Sequence, residues 1–119
     1  MTLEEPTEKL FSYGTLQREE VQLSTFGRTL EGGPDSLTGY EVTLIPIKDQ
    51  SVIDATGDTH YRNIRFTGLA SDVVDGTAFK VPIKELEQAD GYEEDANYRR
   101  VVVELSSGVK AWVYLSDEL

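Results

Sequence analysis

Leu10-Phe11-Ser12-Tyr13-Gly14-Thr15-Leu16 is the stretch on which the fold turns. Leu10 to Tyr13 have strand-forming character, and Gly14 stops the run. A glycine there lets backbone approach a ligand closely, because no Cβ stands in the way. Consecutive N–H groups in such a turn form a concavity suited to an anion. Taken alone, the segment reads first as an ordinary strand-ending turn.

Working outward, residues 1–9 are polar and read as a flexible N-terminal arm, which leaves 10–119 as a single domain. Residues 17–26 carry Val21, Leu23 and Phe26 at weak helical spacing, and Glu31-Gly32-Gly33-Pro34-Asp35 is a turn by composition. Leu37 to Ile47 reads as one long strand with Pro46 near its end, and 48–60 as a polar, turn-rich segment. Ile64–Leu69 and Val73–Val81 are further strands, the second broken at Asp75-Gly76 by a bulge or sharp bend. Pro82 to Glu94 reads as a helix, with proline suited to its first turn. Arg100–Leu105 and Lys110–Leu115 flank Ser106-Ser107-Gly108 as a hairpin. Alternation puts Ala111, Val113 and Leu115 on one face of its second strand, Trp112 and Tyr114 on the other. Many strands with one or two interspersed helices predict an α+β fold with a curled or barrel-like sheet.

Composition narrows the chemistry. A chain of 119 residues buries a single core. With no cysteine, thiol nucleophiles, disulfides and zinc–thiolate sites are excluded. One histidine, His60, rules out a multi-histidine metal site and leaves acid–base work to carboxylates, tyrosines or lysines. The net charge of −11 repels nucleic-acid phosphate and disfavours anionic membrane surfaces. No membrane span or secretory start is read in the sequence, and the expected location is cytoplasmic.

The helix near residue 90 breaks the usual pattern. At about 100 degrees per residue, Leu86, Ile83, Ala89, Asp90 and Glu93 share one arc of about 120 degrees. The arc that should face the core therefore carries two carboxylates. A buried carboxylate is costly unless it is paired or its pKa rises, so such a group marks a candidate functional site. If the helix instead ends near Gly91, Glu93 is an exposed loop acid.

The two segments together resemble the gamma-glutamylcyclotransferase-like superfamily, including its gamma-glutamylamine cyclotransferase and avirulence-induced-gene-like branch. Tyr13-Gly14-Thr15-Leu16 is similar to that superfamily's Tyr-Gly-Thr/Ser-Leu turn. Ala89-Asp90-Gly91-Tyr92-Glu93 resembles its Leu-Asp-x-x-Glu motif, with Glu93 at the catalytic position. Tyr98-Arg99-Arg100, Ala111-Trp112-Val113-Tyr114 and the central glycine of Asp75-Gly76 are similar to its later strands, in order. Ala89 in place of leucine, Glu94 in place of a glycine, and the lack of a proline in 60–64 depart from the pattern.

The resemblance implies a small mixed α+β β-barrel with flanking short helices and a central polar cavity. It implies conversion of a gamma-glutamyl amide to 5-oxoproline and a free amine, with no cofactor and no metal. Glu93 would be the general base and acid. The turn formed by Tyr13, Gly14, Thr15 and Leu16 would hold the glutamyl group, with Tyr98 a further substrate contact. The expected partner is a small molecule, a gamma-glutamyl amine or amino acid. A non-catalytic module binding a glutamyl-like carboxylate, and an interaction domain of the same fold, stay open as alternatives at this point.

Overall fold

A computed structural model describes residues 7–94 and 97–117. The opening strand, β1 (Thr7–Ser12), lies in the middle of a five-stranded sheet. It is followed by one turn of 3-10 helix (Thr15–Gln17), α1 (Glu19–Phe26), β2 (Glu31–Thr38), β3 (Tyr40–Pro46), α2 (Gln50–Thr56) and β4 (His60–Phe66). The chain continues through β5 (Val73–Pro82), α3 (Ile83–Glu94), β6 (Arg99–Glu104) and β7 (Lys110–Leu115). The sheet order is β2-β5-β1-β7-β6, antiparallel except for β1 and β7, which pair in parallel through Leu10–Trp112 and Phe11–Val113. β3 and β4 form a separate antiparallel ribbon. Among the described residues the expected barrel is not closed by strand pairing: the α+β fold has a five-stranded sheet whose edge strand β2 meets the β6–β7 turn through the Ser106 N–H donating to Ser36 O at 2.8 Å, with a ribbon attached. Among the described residues, no helix is long and apolar enough to cross a membrane.

Strand alternation explains why the central strands are apolar on both faces. Phe11, Val74, Val113 and Ala111 face one cluster, which Leu37, Ile64, Leu105 and Tyr13 complete. Leu10, Phe79, Val81 and Tyr114 face the other, closed by Leu16 and by Leu86 and Ala89 of α3. The expected division of β7 holds: Ala111 and Val113 go to one side with Leu115 against them, and Tyr114 goes to the other with Trp112 against it. One side is covered by the helices and the other receives Ile64 from the ribbon.

Several sequence expectations are corrected. Thr7, Glu8 and Lys9, expected in the arm, pair with Pro82, Val81 and Lys80; residues 1–6 lie outside the described residues. Glu31–Asp35, read as a turn, is the outer half of edge strand β2, where Pro34 needs no inner-strand partner for a missing N–H. The long strand over 37–47 is two strands. Gly39, at φ +87, makes the corner between them, with its N–H donating to Asp72 O and its carbonyl accepting from Thr67 and Gly68. The polar segment 48–60 holds α2, capped by Asp49 Oδ1 accepting from the Ser51 N–H at 2.9 Å and closed by Gly57 in the left-handed region.

A buried polar residue attaches the ribbon. Asn63 Nδ2 donates to Ser116 O at 2.9 Å, and the Ser116 N–H donates to Asn63 Oδ1 at 2.9 Å. The amide side chain thereby mimics a strand neighbour at the end of β7, and the buried polar atoms are satisfied. This contact fixes His60–Arg62, at the start of β4, beside the end of β1.

Asp75-Gly76 forms no bulge, because Asp75 and Gly76 keep register with Ser36 and Asp35 of β2. The glycine is required for another reason. A Cβ there would lie 2.3 Å from Ser12 O and 2.8 Å from the Phe11 ring. Gly76→Val should destabilise the protein by about 2 kcal/mol or more, as overpacking in a closed core does. Urea denaturation checks this: a lower midpoint is expected, and an unchanged one would refute the crowding.

Candidate active site

Tyr13, Gly14, Thr15, Leu16, Glu93 and Tyr98 all line one cleft of about 730 Å³. They reach it from different elements. Tyr13 and the 3-10 turn continue from β1, Glu93 stands on the last turn of α3, and Tyr98 precedes β6. α3 runs through Glu94, so Glu93 is a helical residue rather than a loop acid.

The helix is rolled relative to the expected arc. Leu86 and Ala89 are buried and Asp90 and Glu93 half-buried, but Ile83 is exposed. Glu85 takes the buried place instead, because Arg28, just past α1, supplies its counter-charge. The Arg28 guanidinium donates to both Glu85 oxygens, at 2.8 and 2.5 Å. This forked pair locks α3 against the end of α1 and so sets where Glu93 stands.

Among the described residues Glu93 has no such partner to hold its charge. Burial pushes its carboxyl from the ordinary 4.5 up to about 7. The group is thereby half-ionised near neutral pH. A carboxyl of that kind can both take and return a proton.

Tyrosines frame the acid. The buried Tyr13 hydroxyl donates to Tyr114 O at 2.7 Å. Burial, then the neighbouring Tyr98 and Glu93, hold its phenol far above the ordinary 10, with the Arg62 charge opposing. The Tyr98 hydroxyl donates to Arg62 O at 2.6 Å and ties β4 to the entry of β6. The Tyr114 hydroxyl donates to Asp90 Oδ1 at 2.7 Å, and Arg100, 4.3 Å over the Trp112 ring centre, pairs with the same carboxylate at 3.0 Å. Asp90, the second acid of the arc, is therefore engaged away from Glu93. Thr15 Oγ1 and Tyr92 Oη share a hydrogen bond at 2.8 Å, clasping the turn to α3 one residue before Glu93.

The turn itself has a definite polarity. The Gly14 N–H is oriented toward Ser12 Oγ at 3.3 Å, while Gly14 O and Thr15 O accept from Gln17 and Arg18. Thr15 and Leu16 open the 3-10 turn, where amides have no acceptor within the helix. Gly14 has φ −133, and a Cβ on it would meet nothing within 4 Å, so the surrounding fold does not demand glycine. The absent side chain leaves room in the cleft.

The family resemblance implies that residues 60–64 shape the substrate side of the cavity, and His60, Tyr61 and Arg62 of β4 do line it. Val52 of α2 and the Arg18–Asp58 ion pair at 3.2 Å, which the sequence does not single out, line it too. The strand expected from Ile64 begins at His60, so Tyr61 and Arg62 are strand residues. The alternation of Arg62 and Ile64 was the available signal.

A family model described as gamma-glutamyl cyclotransferase, AIG2-like matches residues 10–119. The chain belongs to the gamma-glutamyl cyclotransferase, AIG2-like family. The solution structure of an Arabidopsis thaliana protein is similar at 24% identity and TM-score 0.69, covering 99% of this chain and 68% of that one. An uncharacterized Homo sapiens protein is similar at 19% identity and TM-score 0.71, over 97% and 69% of the two chains. A structure titled gamma-glutamyl cyclotransferase is similar at 14% identity and TM-score 0.75, over 95% and 68%. At these identities the likeness is one of fold. No curated protein matches the sequence.

Placing a half-buried carboxyl in this family's fold has a measurable consequence. The folded-state pKa of Glu93 is raised, so its stability contribution is full below the unfolded value of 4.5 and is lost as pH rises through about 7. Glu93→Gln should remove that loss. Urea midpoints of wild type and variant should differ more in the variant's favour at pH 8 than at pH 4.5. An equal difference at both would mean that the acid is freely solvated.

Proposed function

We propose that the chain is a cofactor-independent gamma-glutamyl amide cyclotransferase that releases 5-oxoproline and a free amine. The observation that carries this reading is the position of Glu93, whose raised carboxyl faces the same cleft as the Tyr13–Leu16 turn. Family membership supports the reaction class.

In the proposed reaction the substrate's own α-amine attacks its γ-carbonyl carbon. At neutral pH that amine is mostly an ammonium and cannot attack. Glu93 takes its proton as general base. The new C–N bond closes the five-membered ring, Glu93 gives its proton to the departing nitrogen as the old amide C–N bond breaks, and the released amine takes the ring nitrogen's second proton and leaves as an ammonium. The α-carboxylate of the glutamyl group is held by the amides of Thr15 and Leu16, with Gly14 leaving the space beside them open. Tyr98 and Tyr13 wall the cavity and keep water from the carboxyl. Folding the glutamyl chain for ring closure supplies the proximity that the reaction needs.

The test is 5-oxoproline release from a panel of gamma-glutamyl amino acids, Nε-gamma-glutamyl-lysine and gamma-glutamyl alkylamines. Glu93→Gln keeps the shape and removes the base, and should lower kcat on the best substrate by about 100- to 10,000-fold. Full activity in Glu93→Gln would eliminate the mechanism. Substrate that binds without any 5-oxoproline release would instead favour a binding module.

A further inference from the structure

Of the six arginines in the chain, five are ion-paired: Arg18 with Asp58, Arg28 with Glu85, Arg65 with Glu41, Arg99 with Asp117 and Arg100 with Asp90. Arg62 is the exception: among the described residues its guanidinium pairs with no carboxylate. It nevertheless lines the cleft. Strand alternation puts it there. Ile64, two residues on and on the same face of β4, is buried in the cluster that contains Tyr13. Arg62 continues that row beyond the edge of the core, where the cleft opens. Its backbone is held by the Tyr98 hydroxyl, so the position is fixed although the side chain is exposed.

The acids that share the cleft do not satisfy it. Asp58 is taken by Arg18 at 3.2 Å. Asp49 caps α2, accepting from the Ser51 N–H and hydroxyl. The charge of Arg62 acts on the Tyr13 phenol, whereas the shift at Glu93 comes from burial. A cation left unpaired in the cleft of a chain with net charge −11 is poised for an anion from outside.

We propose that Arg62 is a specificity-determining residue that binds a carboxylate carried by the departing amine. The favoured substrates are then gamma-glutamyl amino acids, or gamma-glutamyl-lysine with its free carboxylate, rather than gamma-glutamyl alkylamines. This rests on the cyclotransferase reading above, in which the turn amides hold the glutamyl α-carboxylate. Arg62 then meets a second carboxylate at the other end of the substrate. A guanidinium recognises it through two parallel N–H donors, which a neutral carboxamide cannot match in charge.

The experiment compares gamma-glutamylglycine and Nε-gamma-glutamyl-lysine with the same two compounds as terminal carboxamides. 5-Oxoproline release is followed in wild type, Arg62→Gln and Arg62→Lys. Wild type should favour the acid over its carboxamide by about 10- to 100-fold in kcat/KM, chiefly through KM, the size of a charge-assisted hydrogen bond. Arg62→Gln should bring the ratio to about one, and Arg62→Lys should keep part of it because the charge remains. Matching thermal melts check that the variants are folded. A wild type indifferent to the carboxylate, or a preference that survives in Arg62→Gln, overturns the assignment while leaving the cyclotransferase reading intact. 5-Oxoproline released from gamma-glutamyl alkylamines but from none of the four compounds overturns the role of Arg62 and keeps the cyclotransferase reading; no 5-oxoproline from either set ends that reading, and the role of Arg62 falls with it.

Discussion

The rest of the molecule depends on the double burial of β1. Leu10 and Phe11 are consecutive residues on one strand, 0% and 1% exposed, and they point to opposite sides of the sheet. Water must be excluded from both faces at once. On one side α3 lays Leu86 and Ala89 over Leu10; on the other, Ile64 of the ribbon joins the cluster around Phe11. Each covering layer also brings one wall of the cleft. The strand then ends at Ser12, beside Gly76, and delivers Tyr13–Leu16 between those walls.

That arrangement accounts for an acid standing half out of water. The forked Arg28–Glu85 pair fixes the roll of α3, and the Thr15–Tyr92 hydrogen bond ties its last turn to the 3-10 turn. Asp90, which shares the arc, has a separate outlet through Tyr114 and Arg100. Glu93 is left facing the cleft with its charge disfavoured. A paired carboxylate would be firmly ionised and a poor proton carrier at neutral pH; a desolvated one sits where proton uptake and release both proceed.

Much of this was legible in the sequence because it rested on local pattern. The β6–β7 hairpin follows from alternation around Ser106-Ser107-Gly108, and the reach of α3 from the spacing of Leu86, Ala89 and Glu93. The six residues singled out for the site do meet in one cleft. What escaped depended on distant partners. Nothing local says that Glu85 rather than Ile83 turns inward; Arg28, far back in the chain, decides it. Glu31–Pro34 looks like a turn until β5 offers it a ladder, and Gly76 looks like a bulge until Phe11 lies over it. The ribbon is attached through the Asn63–Ser116 contact, a pairing that no periodicity encodes. The resemblance places the 60–64 segment on the substrate side, but that Arg62 in particular lines the cleft follows only from the start of β4 at His60.

The fold holds Glu93 as a desolvated, half-ionised acid beside the Tyr13–Leu16 turn. A carboxyl-carbon NMR titration of Glu93 in the free protein tests this directly. A single transition is expected, with its midpoint near 7, well above the ordinary 4.5. A midpoint at or below 4.5 would describe a solvated or ion-paired carboxylate and would contradict the account.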